Sequence, residues 1–185
     1  IEGYKNIRYV FNQHRPEDFT KTDMVVKTPG ALWSNKYVQM AMKNGVPVEI
    51  DSSLFFKLCK NDIIAVTGTK GKTTVSSLIC EILKAEGKNV AKVGIGQVSV
   101  LDKLKDLKKD SIVVFELSSW RASALGKIKL SPKIAVLTNI YPDHMNYYKT
   151  LESYTDDKKD IYANQKKDDF CILNIDDEIL AKMEP

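Results

Sequence analysis

Cysteine, histidine and long apolar runs are all scarce in this sequence. Three of the 185 residues are cysteines, and Cys59, Cys80 and Cys171 lie among apolar neighbours. An odd number of cysteines in such surroundings favours free thiols in a reducing cytoplasm over a disulfide framework. No apolar run approaches the ~18 residues that a membrane helix needs, and the first residues carry no secretory pattern. We therefore expect a cytoplasmic protein that does not insert into a membrane.

Positive charge is not concentrated in any one part of the chain. The formal net charge is +4, and the densest basic stretch, 103–109, is interrupted by Asp106 and by apolar residues. Such alternation is typical of a solvated helix face, whereas nucleic-acid binding requires a basic patch or stripe. We expect no nucleic-acid partner.

Short apolar, β-branched runs alternate with helical patterns along the chain. The predicted strands are Ile7–Phe11, Met24–Lys27, Val46–Ile50, Ile63–Thr67, Val90–Val93, Ile112–Leu117, Ile134–Thr138 and Phe170–Asn174. The predicted helices are Asn35–Asn44, a short one from Asp51 or Ser52 to Leu58, Thr73–Glu86 and Glu152–Gln165. This alternation predicts an α/β fold, with a mostly parallel sheet and helices on both of its faces.

A domain boundary is expected near Asn61, where a new strand–loop–helix unit opens. Residues 1–60 would then be the tail of a separate β/α domain, and residues 61–185 would form the next domain. The chain begins with Ile1 and not with methionine, which indicates either processing or a fragment.

The stretch A-V-T-G-T-K-G-K-T-T-V-S-S, residues 65–77, joins a predicted strand to a predicted helix. Its glycines allow backbone N–H groups to approach an anion, and the helix presents its positive amino-terminal end. Lys72 is placed to pair with phosphate oxygens and the Thr73 hydroxyl to bind Mg²⁺. Val66 stands where the common phosphate loop has its first glycine, and Gly68 is only three residues ahead of Gly71. The stretch is therefore either a shorter phosphate loop, which G-K-T-T favours, or a glycine turn with incidental lysines.

Polar side chains also follow two other predicted strands. Glu116 ends one apolar run, and Asn139 and His144 follow another. Ligands of parallel sheets bind beyond the carboxyl ends of the strands, so these groups are expected to share an edge with the glycine loop. A buried carboxylate must be protonated, paired or bound to metal, and a neutral imidazole is a good metal ligand. Taken singly, Glu116 also fits a strand end facing water, His144 a surface loop, and Lys158 an exposed salt-bridged helix face.

A series of motifs resembles those of the Mur ligases, a family of ATP-dependent ligases of peptidoglycan synthesis. The motifs are V-V-K-T-P-G (25–30), G-T-K-G-K-T-T (68–74), F-E-L-S-S-W (115–120), L-T-N-I-Y-P-D-H-M-N (137–146), L-E-S-Y-T-D-D-K-K-D-I-Y-A-N-Q (151–165) and I-L-N-I-D-D (172–177). The second resembles the family's G-T-N-G-K-T-T loop, which has the same short glycine spacing. Within the family, the series is most similar to that of the D-glutamate-adding enzymes.

The resemblance implies a fold and an activity. The fold is a central ATP-binding domain of the P-loop type at 61–185, preceded by the remainder of a Rossmann-like UDP-binding domain at 1–60. The activity is cytoplasmic, ATP-dependent addition of D-glutamate to UDP-MurNAc-L-Ala through an acyl phosphate, with ATP and Mg²⁺ as cofactors and a monomer as the working form. The chain would lack the start of the first domain and a carboxyl-terminal domain, so we expect it to be inactive alone.

The resemblance also implies a set of site residues. ATP would be held by Gly68, Thr69, Lys70, Gly71, Lys72, Thr73, Thr74 and Asn139, and Mg²⁺ by Thr73, Glu116, His144 and a carbamylated Lys158. Lys72, Lys158 and His144 would be catalytic, and Thr28, Pro29, Gly30, Gly94 and Ser118 would lie on the uridine-nucleotide and acyl side. Carbamylation first requires a neutral, desolvated amine.

Three residues depart from the family's pattern. Lys70 replaces an asparagine in the loop, Arg121 replaces a glutamine, and Gly94 replaces an asparagine in the turn V-G-I-G. They leave two alternatives open. One is a nucleotide-binding module or pseudoenzyme of Mur ancestry, and the other is a Mur-type ligase with a different acyl substrate.

Overall fold

The computed structural model describes residues 6–96 and 98–184. Backbone contacts divide the chain into two units, Ile1–Glu49 and Ile50–Pro185. The new strand–loop–helix unit opens after Asn61 as expected, but the short helix before it belongs to the second unit. The assignment of 1–60 and 61–185 to two domains stays a prediction. Among the described residues, no helix combines the length and the apolar character that crossing a membrane requires.

From residue 6 onward, the first unit contains two short helices and a pair of short strands. These are α1 (Glu17–Thr20), β1 (Val25–Val26), α2 (Lys36–Lys43) and β2 (Val48–Glu49). The strands pair in parallel, with Val25 opposite Val48. The Asn35 side chain caps α2 by accepting a hydrogen bond from the backbone N–H of Tyr37 at 2.9 Å.

The prediction of a strand at Ile7–Phe11 is wrong. These residues form no strand, and Phe11 is 74% exposed. Alternating aromatic and aliphatic residues give a segment β propensity, but a strand persists only where a neighbour accepts its backbone hydrogen bonds and covers one of its faces.

The described residues of the second unit form five strands and four α-helices. They are α3 (Asp51–Leu58), β3 (Ile63–Thr67), α4 (Lys72–Ala85), β4 (Val90–Val93), β5 (Ile112–Glu116), α5 (Ser119–Ile128), β6 (Ile134–Leu137), α6 (Leu151–Lys159) and β7 (Phe170–Leu173). Short 3₁₀ helices occupy Leu101–Asp106 and Leu180–Lys182.

The five strands form one parallel sheet in the order β4-β5-β3-β6-β7. Strand β3 is central: Val66 lies opposite Glu116 of β5 on one side and Val136 of β6 on the other. Ala65, Phe115 and the rest of the sheet's centre are fully buried, as expected of strands with both faces covered. The predicted α/β fold with a parallel sheet is confirmed, and the carboxyl ends of β3, β5 and β6 lie side by side.

Helix α5 was absent from the sequence-based prediction, and α6 ends at Lys159, earlier than expected. The buried residues of α5 are Ser119, Ala122, Ser123, Ala124 and Leu125, which are mostly small and spread around the helix. Such a helix shows no apolar stripe, and the stripe is the signal from which sequence periodicity is read.

Helix α4 buries small side chains and leaves two large apolar ones exposed. Leu78 and Ile82 are 59% and 55% exposed, whereas Ser76 and Cys80 are buried. Small side chains at the contact allow a helix to approach a sheet closely.

Candidate active site

The glycine loop runs from the end of β3 to the start of α4. Gly68 has a φ of +143°, and Gly71, which caps α4, has a φ of +81°. A Cβ atom at Gly68 would collide with Oγ1 of Thr138 and lie 3.2 Å from the backbone nitrogen of Asn139. Glycine is therefore required at 68, because both the backbone conformation and the space exclude a side chain.

Asn139 ties this loop to the end of β6. Its backbone oxygen accepts from the N–H of Thr69 at 2.9 Å, and its Oδ1 accepts from the N–H of Lys70 at 2.8 Å. Its Nδ2 donates to the carbonyl of Lys70 at 3.0 Å, and the Thr138 hydroxyl donates to the same carbonyl at 2.6 Å. The backbone of Lys70 is thus fixed on both sides, while the residue itself is exposed.

Lys72 folds back over the loop. Its Nζ donates to the carbonyls of Gly68 and Thr69 at 3.1 and 2.9 Å. Burial lowers the pKa of Lys72, and the nearby carboxylates of Glu116 and Asp143 oppose that shift. The ammonium therefore lies at the mouth of the loop, with the first turn of α4 beside it.

Glu116 ends β5 and faces the first turn of α4. The Thr73 hydroxyl donates to its Oε1 at 3.0 Å, and Ser76 donates to its Oε2 at 3.4 Å. A hydroxyl and a carboxylate are the hard oxygen donors that Mg²⁺ takes, usually with only one or two protein ligands beside phosphate and water. Among residues 6–96 and 98–184, no group of three or more His, Cys, Asp and Glu residues is arranged to hold a metal. Thr73 and Glu116 therefore fit an ion whose remaining ligands are phosphate and water oxygens. They do not form a site built from protein ligands alone.

Lys158 of α6 is buried beneath the loop and does not lie on a solvated helix face. Its side chain is 1% exposed, and its Nζ donates to the carbonyl of Gly68 at 2.9 Å and to the Thr67 hydroxyl at 3.4 Å. The Tyr154 ring lies 4.5 Å from the same nitrogen. Burial first, and the positive charge of Lys72 second, lower the pKa of Lys158 to about 7. A substantial fraction of this amine is therefore neutral near pH 7.

His144 lies in the segment after β6 with a φ of +55°, a conformation that few residues other than glycine adopt. Its backbone N–H donates to Oδ1 of Asp143 at 2.9 Å, and its half-exposed ring lies 4.7 Å from the ring of Trp120. Burial lowers the pKa of both Lys72 and Lys158, and the negative charge of the nearby Asp143 carboxylate opposes that shift in each.

Sequence reasoning missed Asp143, Tyr154 and Ser76 as parts of this site. Two signals were available: Asp143 directly precedes His144, and Tyr154 precedes Lys158 by one helical turn. Ser76 carries no such signal, because serine one turn into a helix is ordinary.

The remaining predicted residues of the second unit lie near the same edge of the sheet. Thr74 is exposed in the first turn of α4, and the Ser118 hydroxyl caps α5 by accepting from the N–H of Arg121 at 3.3 Å. Gly94 has a φ of +91°, and a Cβ there would collide with the carbonyl of Glu116. Arg121 forms an ion pair with Asp51 at 2.6 Å and donates to the carbonyl of Gly94 at 3.2 Å.

Thr28, Pro29 and Gly30 follow β1 in the first unit. The buried Lys27 donates to the carbonyls of Thr28 and Pro29, both at 3.4 Å, and so holds this turn from below. Their assignment to a uridine-nucleotide site stays a prediction.

The fold and the site together define a class of protein. It is a parallel α/β domain whose central strand runs into a glycine loop and a helix, with a carboxylate, two lysines and a histidine-bearing segment at the same edge. The family model of the Mur ligase middle domain matches residues 66–184. The chain belongs to the Mur ligase family.

Two of the curated relatives carry the same name. The chain is 37% identical to the UDP-N-acetylmuramoylalanine–D-glutamate ligase of Roseiflexus sp. (strain RS-1), over 96% of this chain and 38% of that protein. It is 43% identical to the enzyme of the same name from Borreliella afzelii (strain PKo), over 86% of this chain and 34% of that protein. The chain thus spans less than two fifths of the length of these relatives.

Solved structures of related ligases share the fold. The MurF ligase from Thermotoga maritima, in complex with ADP, matches with a TM-score of 0.58 at 22% identity, over 88% of this chain and 46% of that one. MurF from Acinetobacter baumannii matches with a TM-score of 0.55 at 17% identity, over 88% of this chain and 44% of that one.

Proposed function

We propose that this chain is the ATP-binding core of a ligase that joins D-glutamate to UDP-MurNAc-L-alanine through an acyl phosphate. The observation that carries the proposal is the convergence of four side chains on the loop at Gly68. Lys72 and Lys158 donate to the Gly68 carbonyl, while Thr73 and Glu116 face each other at 3.0 Å at the start of the next helix. The names of the curated relatives and the ADP complex of a structural neighbour point to the same chemistry.

In the first step, a carboxylate oxygen of the acyl substrate attacks the γ-phosphorus of ATP as the bond to ADP breaks. The loop N–H groups and the amino-terminal end of α4 would hold the phosphates, and Lys72 would balance charge on the transferring group. Thr73 and Glu116 would hold Mg²⁺, which when bound neutralises charge on the phosphoryl oxygens. The protein's contribution here is mainly position and electrostatics.

In the second step, the amine of D-glutamate attacks the acyl carbon, the bond from that carbon to the phosphate oxygen breaks, and inorganic phosphate leaves. The nitrogen releases a proton to solvent as the amide forms. Lys158 would serve as a carbamate. Its neutral amine would bond to CO₂ and release a proton, so that a side chain that is cationic when protonated becomes an anion. His144 and the carbamate would complete a second Mg²⁺ site. Thr28, Pro29 and Gly30 would contact the uridine nucleotide, with Gly94 and Ser118 on the acyl side.

Nucleotide binding is tested with two adjacent threonines. Thr73→Val removes the hydroxyl that faces Glu116. Thr74→Val makes the same change at an exposed neighbour that is predicted to contact ATP but not Mg²⁺, so the comparison concerns only the Mg²⁺-dependent gain. Mg²⁺ should tighten ADP binding to the wild type and to Thr74→Val, while Thr73→Val should lose about tenfold or more of that Mg²⁺-dependent gain. Calorimetric titration of ADP, with and without Mg²⁺, measures both affinities. Equal behaviour of the two variants would remove Thr73 from the metal site.

The reaction is tested on the polypeptide that carries this chain in the cell. Phosphate should form from ATP only when UDP-MurNAc-L-alanine and D-glutamate are both present. Tight ATP binding with no turnover on any acyl substrate and amino acid would establish the nucleotide-binding module instead. Turnover with another acyl substrate would retain the reaction class and change the substrate.

A further inference from the structure

We infer that Trp120 is a positioning residue for His144: its indole forms a wall against which the imidazole is held in the orientation that metal binding requires. The inference rests on the proposed function, because it assumes that His144 is a ligand of the second metal ion.

The two rings lie on segments that follow different strands of the sheet. Trp120 lies in the first turn of α5, four residues after Glu116, and His144 lies in the segment that follows β6. The ring centroids are 4.7 Å apart and the planes are tilted by 42°. Tyr147 supports the indole at 5.5 Å. The imidazole thus has an aromatic wall on one side, while its side chain remains 43% exposed.

The backbone of His144 also needs support. Its φ of +55° is unfavourable for a residue with a Cβ, and the carbonyl of His144 accepts from the N–H groups of Tyr147 and Tyr148 at 2.8 and 2.9 Å. These bonds fix the backbone of the turn but leave the side-chain torsions free. The indole contact limits that freedom, which is the task of the groups surrounding a metal ligand.

Hydrogen bonding by the indole N–H does not account for tryptophan at this position. Within the described part of the chain, Nε1 of Trp120 is buried and has no hydrogen-bond partner. A buried, unsatisfied donor is unfavourable, and phenylalanine would fill similar space without one. The ring's large face toward His144 is the feature that phenylalanine would supply only in part.

The ring contact is measured first, by imidazole C–H resonances in NMR spectra. The chain has two histidines, and His14 of the first unit serves as the internal reference. Ring current from Trp120 should shift the His144 signals upfield in the wild type. Trp120→Leu should abolish this shift and Trp120→Phe should retain part of it, while the His14 signals stay in place. An unshifted His144 in the wild type would refute the contact.

Metal affinity is measured next, by water-proton relaxation with Mn²⁺ and the chain saturated with ADP. Two Mn²⁺ sites are expected, and Trp120→Leu should weaken the second about tenfold, as expected when a metal ligand loses its supporting group, while the site at Thr73 and Glu116 is unchanged. Trp120→Phe should lose less, and Trp33→Leu, the same change in the first unit, should lose nothing. Thermal melting of each variant accompanies the titrations and identifies any variant that does not fold. If Trp120→Leu does not fold, the Mn²⁺ affinity of Trp120→Phe tests the inference instead.

A double-mutant cycle separates positioning from general damage. In a His144→Ala background, Trp120→Leu should have no further effect on Mn²⁺ affinity, because its effect passes through the imidazole. An undiminished effect in that background, or an unchanged affinity in Trp120→Leu alone, would overturn the inference and leave the proposed function intact. A wild-type chain that binds only one Mn²⁺ with ADP would overturn the inference, and one that binds none would refute the proposed function as well.

Discussion

Replacement of Lys158 by methionine is expected to stabilise the fold, and to do so more at pH 6 than at pH 9. The Lys158 side chain is 1% exposed, and its pKa is lowered from an ordinary 10.5 to about 7. In the unfolded chain the amine is in water and regains its ordinary pKa. Folding at pH 6 therefore places a charged ammonium in a dry site, whereas folding at pH 9 first releases the proton.

The sign follows from proton binding. Between the folded pKa of about 7 and the unfolded 10.5, the unfolded chain holds a proton that the folded chain has lost, so stability rises with pH. At about 1.4 kcal/mol per pKa unit, the destabilisation is about 5 kcal/mol at pH 6 and about 2 kcal/mol at pH 9. Methionine binds no proton, so its advantage over lysine should shrink by about 3 kcal/mol across this range.

Urea unfolding of the wild type and Lys158→Met at intervals from pH 6 to pH 9 measures this difference. Lys159→Met is the matched control, because the neighbouring side chain is 43% exposed and the chemical change is identical. The control should show a small effect that does not vary with pH. A Lys158→Met advantage that is constant across the range would refute the reasoning, because it would show that the wild-type amine is not desolvated.

Two further substitutions test the packing around the site. Gly68→Ala should lower ADP affinity by tenfold or more and destabilise the fold by about 1–3 kcal/mol, because its Cβ meets Thr138. Gly87→Ala, at a φ of +71° with open space around it, should lose stability but keep its ADP affinity. Equal ADP affinities of the two variants in calorimetry would argue against the close approach at Gly68. Asp160→Asn should stabilise the fold at pH 7 and lose that advantage towards pH 4, because burial, followed by the charge of Asp157, raises the pKa of Asp160 to about 6. Thermal melting at both pH values measures the change, and an advantage that grows towards pH 4 would contradict the burial of this carboxylate.

The sheet could be predicted from sequence because its strands are short, apolar and β-branched. Ile63–Thr67 and Val90–Val93 have the predicted bounds, and the ends of β3, β5 and β6 meet at one edge, as the topology of parallel sheets requires. The prediction was wrong where a segment depends on partners that local sequence does not show. Residues 7–11 have the composition of a strand without a neighbour, and α5 is a helix without an apolar stripe.

Part of the candidate site could be predicted from the sequence for the same reason. Thr73 and Glu116 could be placed together from the order of strands and motifs, and they are 3.0 Å apart. The burial of Lys158 could not be read from D-D-K-K-D, because that sequence is typical of a solvated helix face. It depends on α6 lying against the loop at Gly68, a contact between residues ninety positions apart.

The hydrogen bonds of Asn139 have a consequence for the rate at which a ligand enters the loop. Because they fix the backbone of Thr69 and Lys70 before any anion arrives, little chain entropy remains to be lost when phosphate oxygens meet the N–H groups. Association should then require little rearrangement of the loop. Removal of the Asn139 side-chain amide should slow phosphate binding as well as speed phosphate release.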